Sequence, residues 1–129
     1  MTYVTDTHPL LWYLAADERL SKRAALAFDE AETGDGVIVV PSIVLAETIR
    51  VIEKKRLMLK FEDVLRAIGS SSNYQVLPLD FRLVLELTRV PGLTELHDRI
   101  IVGSARLLGA PLITADSEIS RSGCVPVIW

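Results

Sequence analysis

The run GVIVVP at residues 36–41 constrains the fold of this chain more than any other feature. Its four consecutive β-branched residues predict a strand that is buried on both faces. Strands of this kind belong to parallel sheets, because helices cover both faces of such sheets. The segment APLITAD at 110–116 has a similar apolar character. The sequence therefore predicts a mainly parallel sheet with helices packed against it.

Strand and helix patterns alternate along the rest of the chain, which is typical of the α/β class. Further strands are predicted at 2–6, 74–80 and 124–129. Helices are predicted at 7–16, 21–33, 42–56, 61–71, 81–89 and 98–109.

Local signals mark several of these boundaries. Ser21 and Ser42 are expected to cap their helices, and Gly109 is expected to end the helix at 98–109. Pro9 fits the first turn of its helix, where a missing N–H costs little. Pro78 is expected to confine its strand to an edge of the sheet or to the end of the strand.

Composition excludes several classes of protein. The 129 residues predict one domain, and the single cysteine, Cys124, excludes an internal disulfide and a zinc site built from several thiolates. No signal peptide is recognisable, and the longest apolar stretch, at 37–46, is too short to span a membrane, so a cytoplasmic location without membrane contact is expected. A net charge of −3 counts against a protein that coats nucleic acid, although not against an enzyme that acts on it.

Four acidic residues stand at positions where a solvent-exposed carboxylate is not expected. Asp6 and Asp116 follow predicted strands, so both should emerge at the carboxyl edge of the sheet, where sites in such folds lie. Asp98 opens a predicted helix, and Glu47 lies among apolar residues near the start of another.

Each of the four has an ordinary explanation when it is considered alone. Asp6 and Asp98 could be helix caps, Asp116 could cap a turn, and Glu47 could pair with Arg50. Four carboxylates at one edge would, however, repel one another and resist ionisation when they are desolvated. A divalent cation removes this repulsion, and oxygen ligands suit Mg²⁺ or Mn²⁺.

Three segments, in this order, carry a resemblance to a known family. They are VTDTHPLLWYL with Asp6, VPSIVLAETI with Ser42 and Glu47, and LHDRIIVGSARLLGAPLITAD with Asp98, Thr114 and Asp116. The chain resembles the PIN-domain ribonucleases, specifically the VapC-type toxins of toxin–antitoxin pairs. The likeness runs over essentially the whole chain.

The resemblance implies a PIN-like α/β/α sandwich over residues 1–129, with a mainly parallel sheet of about four or five strands. It implies a Mg²⁺-dependent endoribonuclease, with Mn²⁺ as a possible substitute. The catalytic and metal-binding residues would be Asp6, Glu47, Asp98 and Asp116. Hydrogen bonds that support the ligands would come from Thr7, Ser42 and Thr114.

An RNA substrate requires positive charge along its path. The densest basic cluster comprises Arg50, Lys54, Lys55, Arg56 and Lys60. Arg50 and Arg99 are the candidates for phosphate contacts, although a solvated helix end explains the cluster equally well. His97 is expected to point away from Asp98 and to have no catalytic role, and His8 to be an ordinary residue of the first helical turn.

The segment at 10–14 carries more apolar surface than one helix face can bury, which predicts an interface. The resemblance implies a homodimer and a small antitoxin protein bound in an apolar groove.

Other functions remain open at this point. A receiver domain also holds Mg²⁺, but it needs paired acids and a late lysine that are missing here. A haloacid-dehalogenase-type phosphatase needs Asp-x-Asp, from which DTH departs. The remaining alternative is a metal-binding regulatory or interaction module on a similar scaffold, without nuclease activity.

Overall fold

A computed structural model describes residues 1–54 and 57–129. Strands and helices alternate along these residues, as the sequence patterns predict. Their bounds are β1 Thr2–Thr5, α1 Thr7–Leu14, α2 Lys22–Glu32, β2 Val37–Pro41, α3 Ser42–Glu53, α4 Phe61–Gly69, β3 Tyr74–Leu77, α5 Phe81–Leu87, α6 Leu96–Leu108, β4 Leu112–Ile113, α7 Ser117–Ser122 and β5 Val127–Ile128.

The five strands form one sheet in the order β3-β2-β1-β4-β5, and every pair in it is parallel. Strand β1 lies in the middle, with Val4 in register with Val39 of β2 on one side and Leu112 of β4 on the other. The predicted α/β/α fold with a parallel sheet of four or five strands is confirmed. Strand β3 lies at an edge and ends just before Pro78, as expected for a strand with a nearby proline.

The core lies on both faces of the sheet because the central strands carry apolar side chains on each face. Fully buried side chains from strands and helices meet there, among them Val4, Leu10, Leu11, Phe28, Ile38, Val40, Ile101, Leu112 and Ile113. A smaller cluster of Leu83, Leu87 and Ile100 joins α5 to α6. These helices approach closely at Gly103, where an added Cβ would lie 2.7 Å from Leu87 Cδ2. The packing holds the first turn of α6 against α5.

Two of the predicted helix boundaries are confirmed and two are wrong. Ser21 caps α2 by accepting a hydrogen bond from the Ala24 N–H at 3.1 Å, and Gly109 ends α6 with φ of +60°. Ser42 does not cap α3: it is the first helical residue, and its Oγ accepts from the Leu79 N–H at 3.2 Å. Helix α6 begins before Asp98, at Leu96, because Glu95 supplies the cap.

The predicted helix at 42–56 ends at Glu53, and residues 55–56 lie outside the described part of the chain. The segment after Asp116, where a capped turn was one explanation of that residue, forms the helix α7. Among the described residues, no helix is both long and apolar enough to cross a membrane.

Candidate active site

The carboxyl ends of β1 and β4, which are neighbours in the sheet, bring Asp6 and Asp116 to the same edge. Asp6 follows β1 directly and caps α1, with its Oδ1 accepting from the Thr7 N–H at 2.7 Å. Asp116 follows β4 and caps α7, with its Oδ1 accepting from the Ile119 N–H at 3.0 Å. The capping explanation is therefore correct for both, but capping does not exclude a second role.

The hydroxyl of Thr114 connects these two acids. It donates to Asp6 Oδ2 at 2.8 Å and accepts from the Asp116 N–H at 3.0 Å. Thr114 is fully buried, so its hydroxyl is shielded from water, and the two hydrogen bonds that it forms are partly buried. Thr7 is placed differently from its expected role, since its backbone N–H reaches Asp6, whereas its buried Oγ1 has no partner among the described residues.

Asp98 lies in the first turn of α6, where the negative charges of Asp6 and Asp116 act on its carboxyl group. Burial, followed by the charges of Asp116, Glu95 and Asp6, raises the pKa of Asp98 to about 6, while the charge of His97 acts to lower it. The capping explanation fails for Asp98, because Glu95 is the cap. The structure thus brings Asp6, Asp98 and Asp116 into one electrostatic environment.

This donor set fits a divalent cation. The three aspartates offer carboxylate oxygens, the ligands that Mg²⁺ and Mn²⁺ prefer. The raised pKa of Asp98 reflects, besides burial, a repulsion that a cation between these carboxylates would relieve. Among the described residues, the group whose ligand atoms all lie within 4.8 Å of one another is a different one, Glu95, His97 and Asp98.

Sequence reasoning missed Glu95. Its Oε2 accepts from the Asp98 N–H at 2.7 Å, so the side chain holds the first turn of α6 in place. The available signal was its position three residues before Asp98, the spacing at which a capping side chain meets a backbone N–H.

Glu47 contacts His97 rather than the proposed partner Arg50. His97 Nε2 lies 2.5 Å from Glu47 Oε2, although the angle is not that of a hydrogen bond, and His97 Nδ1 lies 3.9 Å from Asp98 Oδ1. The expectation that His97 points away from Asp98 is therefore wrong. The imidazole stands between Glu47 and Asp98, and it would form an ion pair with either only when protonated.

Three cavities lie near the carboxyl edge of the sheet, and neighbouring cavities share lining residues. We call them together the groove. The first, about 220 Å³, is lined by residues that include Asp6, Asp116, His8 and Trp12. The second, about 100 Å³, shares His8 with the first and adds Glu47, Arg50 and Lys54. The third, about 540 Å³, shares Glu47 and Arg50 with the second and is completed by Ile43, Ala46, Glu95, His97 and Asp98.

The residues expected to bind substrate or to support the ligands differ in whether their side chains are free to meet a ligand or are bonded within the fold. Arg50 is exposed and lines two cavities of the groove, so it can meet a ligand there. Arg99 is held in the fold, because its Nη2 donates to the Leu87 carbonyl of α5 at 2.6 Å. Ser42 binds the Leu79 N–H. The predictions for Lys55 and Arg56 lie outside the described residues.

The apolar segment at 10–14 does not form the surplus surface that the sequence suggested. Leu10 and Leu11 are fully buried, while Trp12 packs against Trp129 at 5.9 Å and under the Arg19 guanidinium at 5.1 Å. Core packing explains this segment. An exposed apolar face occurs instead on α5, where Phe81 is 76% exposed, Val84 45% and Leu85 52%.

Comparisons with known proteins agree on one fold. The family model of the PIN domain matches residues 3–123. Among solved structures, VapBC2 from Rickettsia felis, bound to a DNA fragment from its promoter, has a TM-score of 0.72 at 16% identity, covering 98% of this chain and 97% of that chain. FitAcB from Neisseria gonorrhoeae has a TM-score of 0.64 at 16% identity, with coverages of 97% and 95%.

A third solved structure is VapC20 from Mycobacterium tuberculosis, a toxin that cleaves the sarcin-ricin loop. Its TM-score is 0.62 at 15% identity, covering 98% of this chain and 99% of that chain. No curated protein has a significantly similar sequence. At these identities the solved structures establish the shared fold alone.

Proposed function

Because the chain belongs to the PIN domain family, we propose that it is a metal-dependent endoribonuclease that hydrolyses RNA phosphodiester bonds. One observation carries the proposal: Asp98 has a pKa raised by burial and by the charges of Asp116 and Asp6 at the carboxyl edge of the sheet. An enzyme that must concentrate negative charge in this way needs a cation to stabilise it.

Mg²⁺, with Mn²⁺ as a substitute, is the cation that we propose. Asp6, Asp98 and Asp116 would hold it, and Glu47 would orient it from across the groove. When bound, such an ion polarises a phosphodiester and generates a nucleophilic hydroxide from water. Thr114 supports the site because its hydroxyl donates to Oδ2 of Asp6 while the Thr7 N–H donates to Oδ1, which together fix the direction of that carboxylate. Each carboxylate oxygen can accept a second contact, so an ion can still bind.

The groove provides a path for RNA past these carboxylates. Arg50 and Lys54 line its middle section, where they would contact phosphates of the strand. The net charge of −3 makes such local cations important, because the chain as a whole repels nucleic acid.

We further propose that the chain forms a single domain over residues 1–129 and acts as the toxin of a toxin–antitoxin pair, with a homodimer as the assembly. The support is the likeness in fold to VapBC2 and to the toxin VapC20 over nearly the full length of the chain. A small antitoxin protein would be its partner.

An RNA cleavage assay with and without Mg²⁺ tests the central proposal. Wild-type protein should cleave, chelation by EDTA should stop cleavage, and Asp98→Asn should abolish it. Glu62→Gln, which removes one charge from an exposed position on α4, is the matched control and should retain full activity. Cleavage by Asp98→Asn at the wild-type rate would overturn the proposed site.

A further inference from the structure

We propose that the cavity of about 540 Å³ beside Asp98 is a nucleobase pocket that selects a base carrying an exocyclic amino group. The proposal rests on the endoribonuclease function proposed above and adds to it the specificity of the site. We call this cavity the base pocket. Its lining residues are Ile43, Ala46, Glu47, Arg50, Glu95, His97 and Asp98.

The size and lining of the base pocket leave room for a flat organic group beside the proposed ion. Its volume falls within the range of roughly 300–1,000 Å³ that is typical of sites for small molecules. Ile43 and Ala46 lie three residues apart on α3, so they share one face of that helix and give the pocket an apolar wall. A base ring can rest on such a wall through its apolar face.

The charges of the base pocket leave one carboxylate for a contact with a base. Of its three acidic residues, Glu47 and Asp98 are proposed above to serve the cation, so Glu95 is the acid that remains free of the metal. A negative oxygen of Glu95 attracts a group that donates hydrogen bonds. Among the parts of a nucleotide, only the base edges and the sugar hydroxyls offer donors, and only the base differs from one nucleotide to the next.

Glu95 is the residue best placed to read that base. It is exposed, and its Oε2 accepts from the Asp98 N–H, which fixes the direction of the carboxylate. The other oxygen, Oε1, remains available as an acceptor. Adenine, guanine and cytosine each carry an amino group that can donate to it, whereas uracil carries none.

Arg50 supplies a further contact from α3, the helix that carries Ile43 and Ala46. Within the described part of the chain it forms no ion pair, and its guanidinium borders both the base pocket and the middle of the groove. A guanidinium plane stacks on a nucleobase face, and the same group can meet the adjoining phosphate. A base in contact with Ile43, Ala46 and Arg50 would belong to the nucleotide next to the cleaved bond, because Asp98 lines the same cavity.

The first experiment compares RNA substrates that differ by one amino group, after the cleavage position of the wild-type enzyme has been mapped. Replacing guanosine by inosine, or adenosine by purine riboside, at the nucleotide beside the cleaved bond should lower kcat/KM by about tenfold. In Glu95→Ser the ratio of kcat/KM between the substrate with the amino group and the substrate without it should fall to about one. Serine retains a cap for α6 but cannot reach the base. Glu53→Ser, on the exposed end of α3, should keep the wild-type ratio.

The ratio of the two kcat/KM values is the informative quantity. A purely structural effect of Glu95 on Asp98 would lower kcat/KM equally for both substrates. An unchanged ratio in Glu95→Ser would overturn the base pocket. A wild-type preference for uridine beside the cleaved bond would overturn it as well. In either case the endoribonuclease proposal would stand, whereas a complete absence of RNA cleavage by the wild type would overturn both.

A second variant fills the base pocket without altering its charges. Ala46→Phe should lower kcat/KM for the intact RNA and spare a substrate that lacks the base at that nucleotide. Ile49→Phe, on an exposed part of α3 outside the cavity, should affect neither substrate. An equal loss on both substrates in Ala46→Phe would contradict the proposal.

Discussion

The hydroxyl of Thr114 holds two acidic residues that are far apart in the sequence. It binds Asp6 Oδ2 at 2.8 Å and the Asp116 N–H at 3.0 Å while it is fully buried. Thr114→Val should therefore leave the partly buried Asp116 N–H without its partner and lower the free energy of unfolding by about 1 kcal/mol. Thr114→Ser keeps the hydroxyl, so its free energy of unfolding should fall by less.

The same pair of variants separates stability from positioning. Mg²⁺ affinity, measured by calorimetry on folded protein, should be weakened in Thr114→Val because Asp6 is no longer oriented. Thr114→Ser should bind the ion nearly as well as the wild type. Equal affinities in all three proteins would show that Thr114 contributes only to folding.

Asp98 should make the stability of the metal-free protein depend on pH. Its folded-state pKa is raised from 3.8 to about 6, so between these values the folded protein binds a proton that the unfolded chain has released. Its contribution is present at low pH and is lost as pH rises through about 6. Above that pH, Asp98→Asn should be more stable than the wild type by about 1 kcal/mol, after allowance for solvent screening.

Urea denaturation at a series of pH values, without metal, measures this difference. The two proteins should converge below about pH 3, where the wild-type carboxyl is protonated in both states. Adding Mg²⁺ at neutral pH should stabilise the wild type more than Asp98→Asn. A variant that is less stable than the wild type at every pH would contradict the account.

At the level of elements, the contact between α5 and α6 depends on Arg99. Its Nη2 donates to the Leu87 carbonyl at 2.6 Å, near the end of α5. Arg99→Ala should lower the free energy of unfolding by about 1.5–3 kcal/mol, because the lost hydrogen bond involves a charged donor. Arg82→Ala, at an exposed position on α5, should change it little.

RNA binding distinguishes this structural role from the phosphate contact that the sequence suggested. A phosphate contact would make Arg99→Ala less sensitive to salt in its affinity for RNA, with stability nearly unchanged. We expect the reverse, a loss of stability with an unchanged dependence on salt, in equilibrium titrations at several salt concentrations.

The elements themselves were predictable where a local pattern decides the conformation. The β-branched run before Pro41 became β2, the serine before α2 became its cap, and Gly109 took the left-handed conformation that ends α6. Ser42 did not follow its local pattern because its Oγ binds the N–H of Leu79, 37 residues away. A contact over that distance leaves no local signal in the sequence.

The placement of the candidate acids in the fold was predictable where it follows from the ends of strands. Asp6 and Asp116 could be located because each follows a strand, and parallel strands bring their ends together. The place of His97 could not be inferred from its neighbour Asp98, because its imidazole reaches Glu47 on a different helix. The groove depends on α1, α3 and α6 together, so no single segment reveals it.

At the level of the whole molecule, the apolar face of α5 is the surface on which we expect a second copy to dock. Phe81, Val84 and Leu85 are spaced to lie on one side of that helix, and each is substantially exposed. Leu85→Glu should shift a homodimer toward monomer in sedimentation or light scattering. Leu26→Glu, which alters an exposed leucine on α2, should leave the assembly unchanged, and a monomeric wild type would contradict the expectation.

The order of strands in the sheet has a consequence for synthesis of the chain. Strand β1 is made first but lies in the middle, and its neighbour β4 begins at Leu112. Asp6 and Thr114 are 108 residues apart. At about 5–20 residues per second, a ribosome needs several seconds or more to make that interval. The nascent chain therefore carries Asp6 without its Thr114 partner, and without Asp116, for the whole of that interval.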